Sequence, residues 1–578
     1  MTNNWNIVYK LYKNIINMRI RIFILLIFIV VVTVDGLTQV ELVPVSNPVY
    51  LFLKKMQVKG VIPDYNSSNI PISREEVANN LKIINRQSKD IDKIDKDMLN
   101  DYDIEFGYDL NRGMENTSDL FEKNFNIKRL FDNNKQKYIY SYADSLATMF
   151  IDGTGNFSYR QSSGDSLGNN KIILGEIGGR IRGTLFNSLG YYLRISNGAK
   201  LFGDQNAINF AAETDPILRG NTKFYYENKN FDTYEGYLRY RTQNNLFAIT
   251  IGKEALNMGF GYIDKLYLSN NTVPFPFGKV DLKYKAFSYT FVYGSLKGDS
   301  LGRDLNWKSI ALHRLNIRPS KFINLGLYES VVFTSTPFSW EYLNPFGFLI
   351  SADMNVGAEK SFENNTFLGL DFELTFIKDL AFQGTIMIDD LDFETIGNND
   401  KTYNTNRFGW QFGGLWVNAF TLPNLSFAVE YTRLDPFMYA HKSNKNSYTN
   451  WSMSLGHRLQ PNSDEIAIKL GYDITNRIKL SFVYQYQRSG GGFLFDSTGN
   501  IKQNYGGDIN RGDYWYIEKN RFLQGDRTNR NIFTLSCIIE PIKQYFLEAK
   551  FYYRNSSLIY LNKTYNDFYF WITAKIDY

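Results

Sequence analysis

The chain has 578 residues, a net charge of +5, a mean hydropathy of -0.32 and a single Cys, and 16% of its residues are Phe, Tyr or Trp. A disordered chain would lack these aromatics, a disulfide scaffold would need more Cys, and a helical transporter would need many long apolar runs. The nearly balanced charge gives no reason to expect a nucleic-acid partner. Because Tyr and Phe favour strands, a large all-β protein is expected.

The N-terminus carries a predicted secretory signal. Two arginines precede an unbroken apolar stretch from Ile22 to Val34, which is too short to span a membrane comfortably as a helix. We expect cleavage after Gly36, so that residues 1–36 form an N-terminal extension and signal peptide; an uncleaved anchor is the alternative. The sole Cys, Cys537, is far from this segment, which excludes a lipoprotein.

Three short amphipathic helices are predicted next. Apolar residues recur at helical spacing over Pro48–Lys59. Ser73 followed by Glu76 is a capping box that starts a second helix, and a third helix is expected over Ser88–Tyr102. We assign residues 37–125 to a periplasmic helical bundle, each helix of which needs an outside surface to complete its core.

From about Tyr138 to the end the hydrophobic period becomes 2, in segments of eight to eleven residues. A soluble sandwich also alternates. The length of the segments, their aromatic ends and secretion without a disulfide pair favour a transmembrane antiparallel β-barrel over residues 126–578. The last segment, Phe568–Tyr578, ends in an aromatic residue and resembles the assembly signal of bacterial outer-membrane proteins.

Several stretches together resemble the Wzi capsule-assembly family, and the resemblance covers nearly the whole mature chain. They are VYLFLKKMQVKGVIP and PISREEVANNL in the helical region, GGRIRGTLFNSLGYYLRISNG at Gly178, IGKEALNMGFGYIDKLYLSNNTVPF at Ile251, ALHRL at Ala311, EYLNPFGF at Glu341, IDDLD at Ile388, EYTRLDPFMYAH at Glu430 and LGHRLQPNSDEI at Leu455. Their order and combination carry the match. Met258 and Phe260 stand where the family pattern leads us to expect Trp and Pro, which puts the sugar identity in doubt.

The resemblance implies a barrel of about eighteen strands with a periplasmic helical bundle, acting as a lectin-like anchor or organiser of capsular or extracellular polysaccharide. The expected location is the outer membrane of a Gram-negative type bacterium. The expected partners are this polysaccharide, outer-membrane lipid and the outer-membrane protein assembly machinery, and the chain is expected to be a monomer. The alternative function is a channel for sugars or anions.

No catalytic constellation is found in the sequence, since it has three His and lacks the G-x-S-x-G and H-E-x-x-H motifs. We predict that the protein is not an enzyme and needs no cofactor or resident metal. An outer-membrane hydrolase is the third possibility, for which Glu329, Glu341 and Asp371 could supply a carboxylate pair. Gly259 and Gly261 lack the strand-to-helix context of a phosphate loop and are predicted to mark a bend or bulge in a strand.

Asp389, Asp390 and Asp392 invite a calcium hypothesis. Along a strand, however, Asp390 points opposite to its neighbours, and a solvated strand end facing the lumen is the favoured interpretation. His313 and His457 each precede an Arg and could bind an anionic sugar, although hydrogen bonding in the lumen is favoured.

Further candidates are placed by their strand faces or their loops. Glu430 and Arg433 could pair with each other or contact a ligand, and the Arg180 and Arg182 side chains point to one side of their strand, at a basic lumen or the periplasmic rim. Sugar stacking is expected in outer loops, for example SNNTVPF at Ser269 or the region of Trp410 and Trp416. The complete set of predicted polysaccharide or lumen contacts is Arg180, Arg182, Asn257, Asn270, His313, Arg314, Asp389, Asp390, Asp392, Glu430, Arg433, His457 and Arg458.

Overall fold

The computed structural model describes residues 39–87, 91–121, 126–228, 230–298, 307–334, 336, 338–355, 364–390, 406–513 and 521–578. The predicted signal peptide lies outside these residues. The helices of the described chain are α1 (Val49–Val58), α2 (Arg74–Arg86), α3 (Lys93–Glu105), α4 (Gly107–Asn111), α5 (Gln205–Thr214), α6 (Pro216–Arg219), α7 (Thr222–Glu227) and α8 (Leu349–Asn355). Single 3₁₀ turns lie at Ile127–Phe131, Ala419–Thr421, Asn444–Asn446 and Ile559–Leu561. None of the described helices combines the length and the hydropathy needed to cross a membrane.

The predicted N-terminal helices form, with boundaries that their caps explain. The Ser73 hydroxyl accepts the Glu76 amide at 3.3 Å at the start of α2, as the capping box predicts. The Glu76 carboxylate does not return to Ser73 but accepts two bonds of 2.7 Å from Lys283. Helix α3 begins at Lys93, later than expected, because the Asp92 side chain accepts the Asp95 amide at 3.0 Å.

Eighteen antiparallel strands close into a barrel, as predicted. They are β1 (Thr148–Gly164), β2 (Asn170–Leu185), β3 (Leu189–Phe202), β4 (Phe231–Arg241), β5 (Phe247–Glu254), β6 (Phe275–Tyr284), β7 (Phe287–Lys297), β8 (Trp307–Ser320), β9 (Ile323–Phe333), β10 (Asn365–Ile377), β11 (Leu380–Asp390), β12 (Arg407–Val417), β13 (Leu425–Leu434), β14 (Ser463–Thr475), β15 (Ile478–Ser489), β16 (Thr528–Ile542), β17 (Tyr545–Leu558) and β18 (Lys563–Asp577). Neighbours in sequence pair, and β18 pairs with β1 so that Trp571 lies opposite Arg160. The short strand Tyr140–Ala143 continues the wall beside the start of β1.

Other short strands lie outside this series: Asn69–Ile70 with Asn257–Met258, Thr117–Asp119 with Gln136–Tyr138, Thr449–Asn450 with Met453–Ser454, and Phe493–Phe495 with Ile501–Asn504.

Side chains of each barrel strand alternate between the lumen and the outer wall. In β18 the exposed Phe568 and Phe570 point outward, while Tyr569 between them points to the lumen and is buried. Large apolar side chains that remain exposed on the outer wall include Phe157, Ile177, Leu193, Ile195, Leu238, Ile251, Leu327, Leu370, Phe412, Leu535, Leu547 and Phe551. The two-sided alternation in the sequence therefore corresponds to an apolar outer wall and a mainly polar lumen.

Connections differ in length at the two ends of the barrel. The turn end carries short connections such as residues 186–188, 285–286 and 543–544, and the loop end carries long ones such as 255–274 and 435–462. The N-terminal helices lie at the turn end, where Lys55 bonds Asn424 at 2.9 Å and Asp101 pairs with Arg477 at 3.1 Å. Their own core includes Phe52, Leu53, Met56, Val77, Leu81 and Leu99.

Two details of the predicted strand pattern are wrong. Strands reach 17 residues in β1, longer than the predicted segments, and helices α5 to α7 interrupt the pattern between β3 and β4. Asp204 caps α5 through the Ala207 amide at 2.9 Å, and Asp215 precedes a proline at the first position of α6. Local capping therefore overrides the period of 2 in this loop.

Candidate functional site

A loop between β5 and β6 turns into the barrel; we call residues 255–274 the inner loop. Its Asn257 and Met258 pair with Ile70 and Asn69 of the N-terminal segment. Gly259 follows with φ +101°, a conformation that favours glycine, and its amide donates to Ser68 O at 2.8 Å. The glycines of this stretch therefore lie in a loop inside the barrel and not, as predicted, at a bend or bulge of a strand.

Predicted ligand residues on β8 and β13 hold the inner loop in place. Arg314 bonds both carboxylate oxygens of Asp371 at 2.8 Å, and both side chains are fully buried. Asp371 also accepts the Phe260 amide at 3.3 Å. Glu430 accepts the amides of Tyr262 at 2.8 Å and Asp264 at 3.2 Å. Asp371 thus neutralises Arg314, and the carboxylates of Asp371 and Glu430 accept backbone amides of the inner loop.

A second loop, residues 435–462, folds over the inner loop from the loop end; we call it the cap loop. Arg458 donates to Asp264 at 2.9 Å and to Glu465 at 2.6 Å. His457 is fully buried, with Nε2 3.8 Å from the same Asp264 carboxylate, and the Asp389 carboxylate accepts the Tyr439 amide at 2.5 Å. One side of the lumen is accordingly filled by two interlocked loops.

Arg180 links neighbouring barrel strands near the turn end, and Arg182 joins the barrel to N-terminal segments of the chain. Arg180 bonds Asp152 at 2.9 Å, and Arg182 donates to Glu41 at 3.0 Å and to the Tyr138 hydroxyl at 2.9 Å. Both side chains lie close to the turn end of β2, on the face that points into the barrel. Asn270 of the inner loop is exposed.

Several predicted ligand or lumen contacts lie on the outer face of the barrel instead. Arg433 points outward and bonds Asp435 at 2.8 Å, whereas Glu430 points into the lumen, because residues three apart in a strand lie on opposite faces; they do not pair. His313 also faces outward, not into the lumen, and bonds Glu329 at 2.9 Å. Trp410 and Trp416 share the outer face of β12, opposite in direction to the buried Gln411, so neither faces the lumen.

The remaining acidic candidates do not converge. Glu329 lies on the outer wall, Glu341 is exposed in the loop between β9 and β10, and Asp371 is in the lumen. The Asp390 side chain and all of Asp392 lie outside the described residues, so the calcium hypothesis stays untested. Among the residues that are described, no group of three or more His, Cys, Asp or Glu is arranged to hold a metal ion.

The lumen face of β1, β17 and β18 carries a different kind of surface. The Tyr552 and Tyr569 rings stack with centroids 4.4 Å apart. Next to them the Arg160 guanidinium lies 3.6 Å above the Trp571 ring, and Lys550 Nζ lies 5.6 Å from the Tyr569 ring. We call these five side chains, with Arg530 and Arg554, the basic aromatic wall.

The charges of the basic aromatic wall are only partly neutralised. Arg160 Nη2 pairs with Asp215 at 2.8 Å and Arg554 with Asp567 at 2.6 Å. Buried Nε and Nη1 atoms of Arg160 have no hydrogen-bond partner among the described residues, and Lys550 forms no ion pair with any described residue. Half-buried Tyr552, Trp571 and Lys550 therefore present ring surfaces and a positive charge that suit a sugar ring carrying a carboxylate.

Sequence reasoning missed this wall as a site. Tyr569 and Trp571 lie on the polar face of the last predicted strand, which does not contact lipid. Large aromatic side chains are unexpected there, and this feature of the sequence could have indicated a site. Lys550 and Arg160 come from β17 and β1, which are distant in sequence. Only the closing pair of strands brings them opposite Trp571.

A protein-family model and several solved β-barrel structures are similar to this chain. A family model described as capsule assembly protein Wzi matches residues 105–512, and no curated protein matches the chain. The chain is similar to the solved structure of Escherichia coli Wzi, described as an outer membrane protein involved in group 1 capsule assembly and as a carbohydrate binding β-barrel, with 13% identity over 93% of this chain and 99% of that one and a TM-score of 0.54. It also resembles Pseudomonas aeruginosa OprD, with 8% identity, 74% and 94% coverage and a TM-score of 0.43. Acinetobacter baumannii OccAB1 is similar with 9% identity over 74% of this chain and 96% of that one, and with a TM-score of 0.44.

Proposed function

This chain belongs to the Wzi family of capsule assembly proteins, and from that membership we propose that it is a non-enzymatic, lectin-like outer-membrane barrel that anchors or organises capsular or extracellular polysaccharide at the cell surface. Its turn end and helical bundle face the periplasm, because short turns lie on that side of outer-membrane barrels. A signal peptide in residues 1–36 delivers the chain, the outer-membrane assembly machinery inserts it, and it acts as a monomer.

We place polysaccharide on the basic aromatic wall, and this wall is the observation that carries the proposal. The half-buried Tyr552 ring, supported by the buried Tyr569 ring stacked against it, offers a flat face for a sugar ring, as aromatic side chains do in concave ligand sites. Half-buried Lys550 supplies positive charge next to the Trp571 ring, and Arg160 is buried on the other side of that ring with two donors that no described residue accepts. The expected ligand is therefore a polymer that contains uronic acids.

The alternative function, a channel, has less support. The inner loop and the cap loop occupy one side of the lumen, and the N-terminal helices lie across the turn end. Ions would have to pass through the remaining side, along the basic aromatic wall.

The function is tested in an encapsulated host strain from which the gene has been deleted. Polysaccharide is quantified in the cell pellet and in the medium after complementation with the wild-type chain or with Trp571→Ala. We expect shed polysaccharide in the deletion strain, retention with the wild type, and partial retention with the variant. Unchanged retention in the deletion strain would overturn the proposal.

A further inference from the structure

The outer wall carries a polar pair in a region where apolar side chains are the rule. His313 on β8 and Glu329 on β9 both face outward, with Nδ1 and Oε1 2.9 Å apart. The outward-facing neighbour Leu327 is 46% exposed, whereas His313 and Glu329 are 6% and 7% exposed. Something other than the barrel wall must therefore cover the pair.

The cover is part of the connection between β9 and β10, which folds outward and down over the wall; we call residues 338–355 the outer flap. The Leu349 amide donates to both carboxylate oxygens of Glu329 at 3.1 Å. The Tyr289 hydroxyl on the wall donates to Pro345 O. Buried apolar contacts complete the seam, with Tyr342 and Leu349 of the flap packed against Phe291, Ala311, Val331 and Phe333 of the wall.

The opposite surface of the outer flap is aromatic and nearly uncharged. Trp340 and Phe346 are 78% and 77% exposed, and Phe338 and Phe348 are exposed beside them. The segment has only two charged residues, Glu341 and Asp353. The second of these is buried and accepts the Tyr342 hydroxyl at 2.7 Å. The stretch Glu341–Phe348, singled out in the sequence for its family resemblance, contributes Phe346 and Phe348 to this surface.

A surface of this kind is costly in water and favourable in hydrocarbon, because the apolar rings gain by leaving water. The Glu341 carboxylate is the single exposed charge of the flap that opposes the transfer. The outer flap also continues the apolar outer wall that lies below it, where Leu315 and Leu327 share the outward face with the covered pair. A long connection exposed to water beyond the membrane would not gain from this composition.

We propose that the outer flap is a lipid-binding surface whose occupants are the acyl chains of the outer leaflet, and that Glu329 is the positioning residue that holds the flap against the wall. The inference rests on the proposed membrane location of the barrel. It is independent of polysaccharide binding, which uses the lumen side of other strands.

The test places a fluorophore at four sites. In a Cys537→Ser background, single cysteines at Trp340, Phe346, Leu327 and Asn500 are labelled with NBD, and the full chain is reconstituted into phosphatidylcholine vesicles with or without 5-doxyl phosphatidylcholine. Leu327 reports the lipid-facing wall, and the exposed Asn500 reports a loop in water. We expect the Trp340 and Phe346 sites to show the blue-shifted emission and doxyl quenching of the Leu327 site.

The outcomes separate this inference from the membrane location. Quenching at Leu327 with water-like emission at Trp340 and Phe346, like that at Asn500, would overturn lipid binding by the flap and leave the membrane barrel in place. Absence of quenching at Leu327 would overturn both.

Variants of Glu329 test the positioning role. Glu329→Leu removes the acceptor of the Leu349 amide and should shift the Phe346 probe towards the emission of the Asn500 probe, whereas Glu329→Gln keeps an acceptor and should restore the quenching. Folding of each variant is checked by its mobility in an unboiled gel. Unchanged quenching in a folded Glu329→Leu barrel would exclude the positioning role.

Discussion

The Tyr552 and Tyr569 rings lie face to face across β17 and β18, with an interplanar angle of 14°. Phe210 of α5 meets Tyr569 at its edge, with ring centroids 6.0 Å apart, so that the pair is held from the loop end as well. Rings fixed in this way lose little freedom when a ligand arrives. The most direct predictions therefore concern this wall.

Replacing Trp571 by Ala should weaken polysaccharide binding. The ring supports the Arg160 guanidinium at 3.6 Å, so the variant loses both a stacking surface and the position of a cation. We expect a loss of about 1–2 kcal/mol, or about five- to thirtyfold in Kd. Isothermal calorimetry with polygalacturonate measures it. Trp416→Ala, on the outer wall, is the control and should bind normally; equal losses in both variants would argue against a lumen site.

Removing the charge of Lys550 should discriminate between acidic and neutral glycans. Lys550→Met is expected to weaken polygalacturonate binding by up to about fivefold, since a partly exposed ion pair contributes up to about 1 kcal/mol. The loss should shrink as salt is raised, and dextran binding should not change. Arg433→Met, on the outer face, serves as the matched control. A similar loss for dextran would show that Lys550 acts by shape and not by charge.

Arg314 and Asp371 should be stabilising only as a pair. Arg314→Leu leaves a buried carboxylate without its partner and should cost about 3–5 kcal/mol of unfolding free energy. The double variant Arg314→Leu, Asp371→Leu removes the stranded charge and should regain part of this loss, although the Phe260 amide then loses its acceptor. Urea unfolding followed by Trp fluorescence measures both. A double variant less stable than the single one would contradict this account.

Stability of the helical bundle should be highest at intermediate pH. Lys59 lies 2.8 Å from Asp92 and 2.5 Å from Asp95. Burial alone would raise the pKa of Asp92, but its bonds from Lys59 and the Asp95 amide hold that pKa well below its usual range. The resulting stability is present above about pH 4 and is lost as pH falls further.

The same cluster sets the alkaline limit. Burial would lower the pKa of Lys59, but the two carboxylates outweigh it and raise that pKa, so this contribution is present below about pH 10.4 and is lost as pH rises through the folded value. Burial raises the pKa of Asp95, and this offsets part of the stability that the Asp92 interaction loses at acid pH. Limited proteolysis of α1 to α3 should be faster at both acid and alkaline pH than at intermediate pH. In Lys59→Met this dependence of the cleavage rate on pH should be weaker. A variant with the wild-type profile would rule out this origin.

Conductance reports on the two lumen loops. The wild-type barrel is expected to be nearly silent in planar bilayers. Arg458→Ala removes the bonds to Asp264 and Glu465 and should loosen the inner loop, so that current steps appear or grow. Large steady steps in the wild type would favour the channel function instead.

Periodicity and local caps account for most of the fold that could be predicted from the sequence. The alternation of Phe568 to Tyr578 predicted the last strand and sorted its residues onto two faces, because side-chain direction in a strand follows residue parity; the strand itself begins earlier, at Lys563. The same rule, applied to Glu430 and Arg433, would have placed them on opposite sides of the wall. Ser73 likewise marked the start of α2 within one residue.

The site depends on contacts that periodicity does not encode. Whether a long connection turns into the lumen, as the inner loop does, or outward, as the outer flap does, depends on partners far away in sequence. Hydrogen bonding in the lumen was predicted for His313, but the side chain lies on the outer wall. There it pairs with Glu329, which in turn accepts the Leu349 amide of the outer flap. The basic aromatic wall, similarly, needs the registers of β1, β17 and β18 together.

The pairing of Asn69 and Ile70 with Met258 and Asn257 joins a segment that enters from one end of the barrel to a loop that enters from the other. A pull on the inner loop loads the strands through Asp371 and Glu430, and it is also carried to the N-terminal helices through these two residue pairs. The interior of the barrel therefore contains its own mechanical linkage, and load applied at the loop end has a path to the turn end that bypasses the wall.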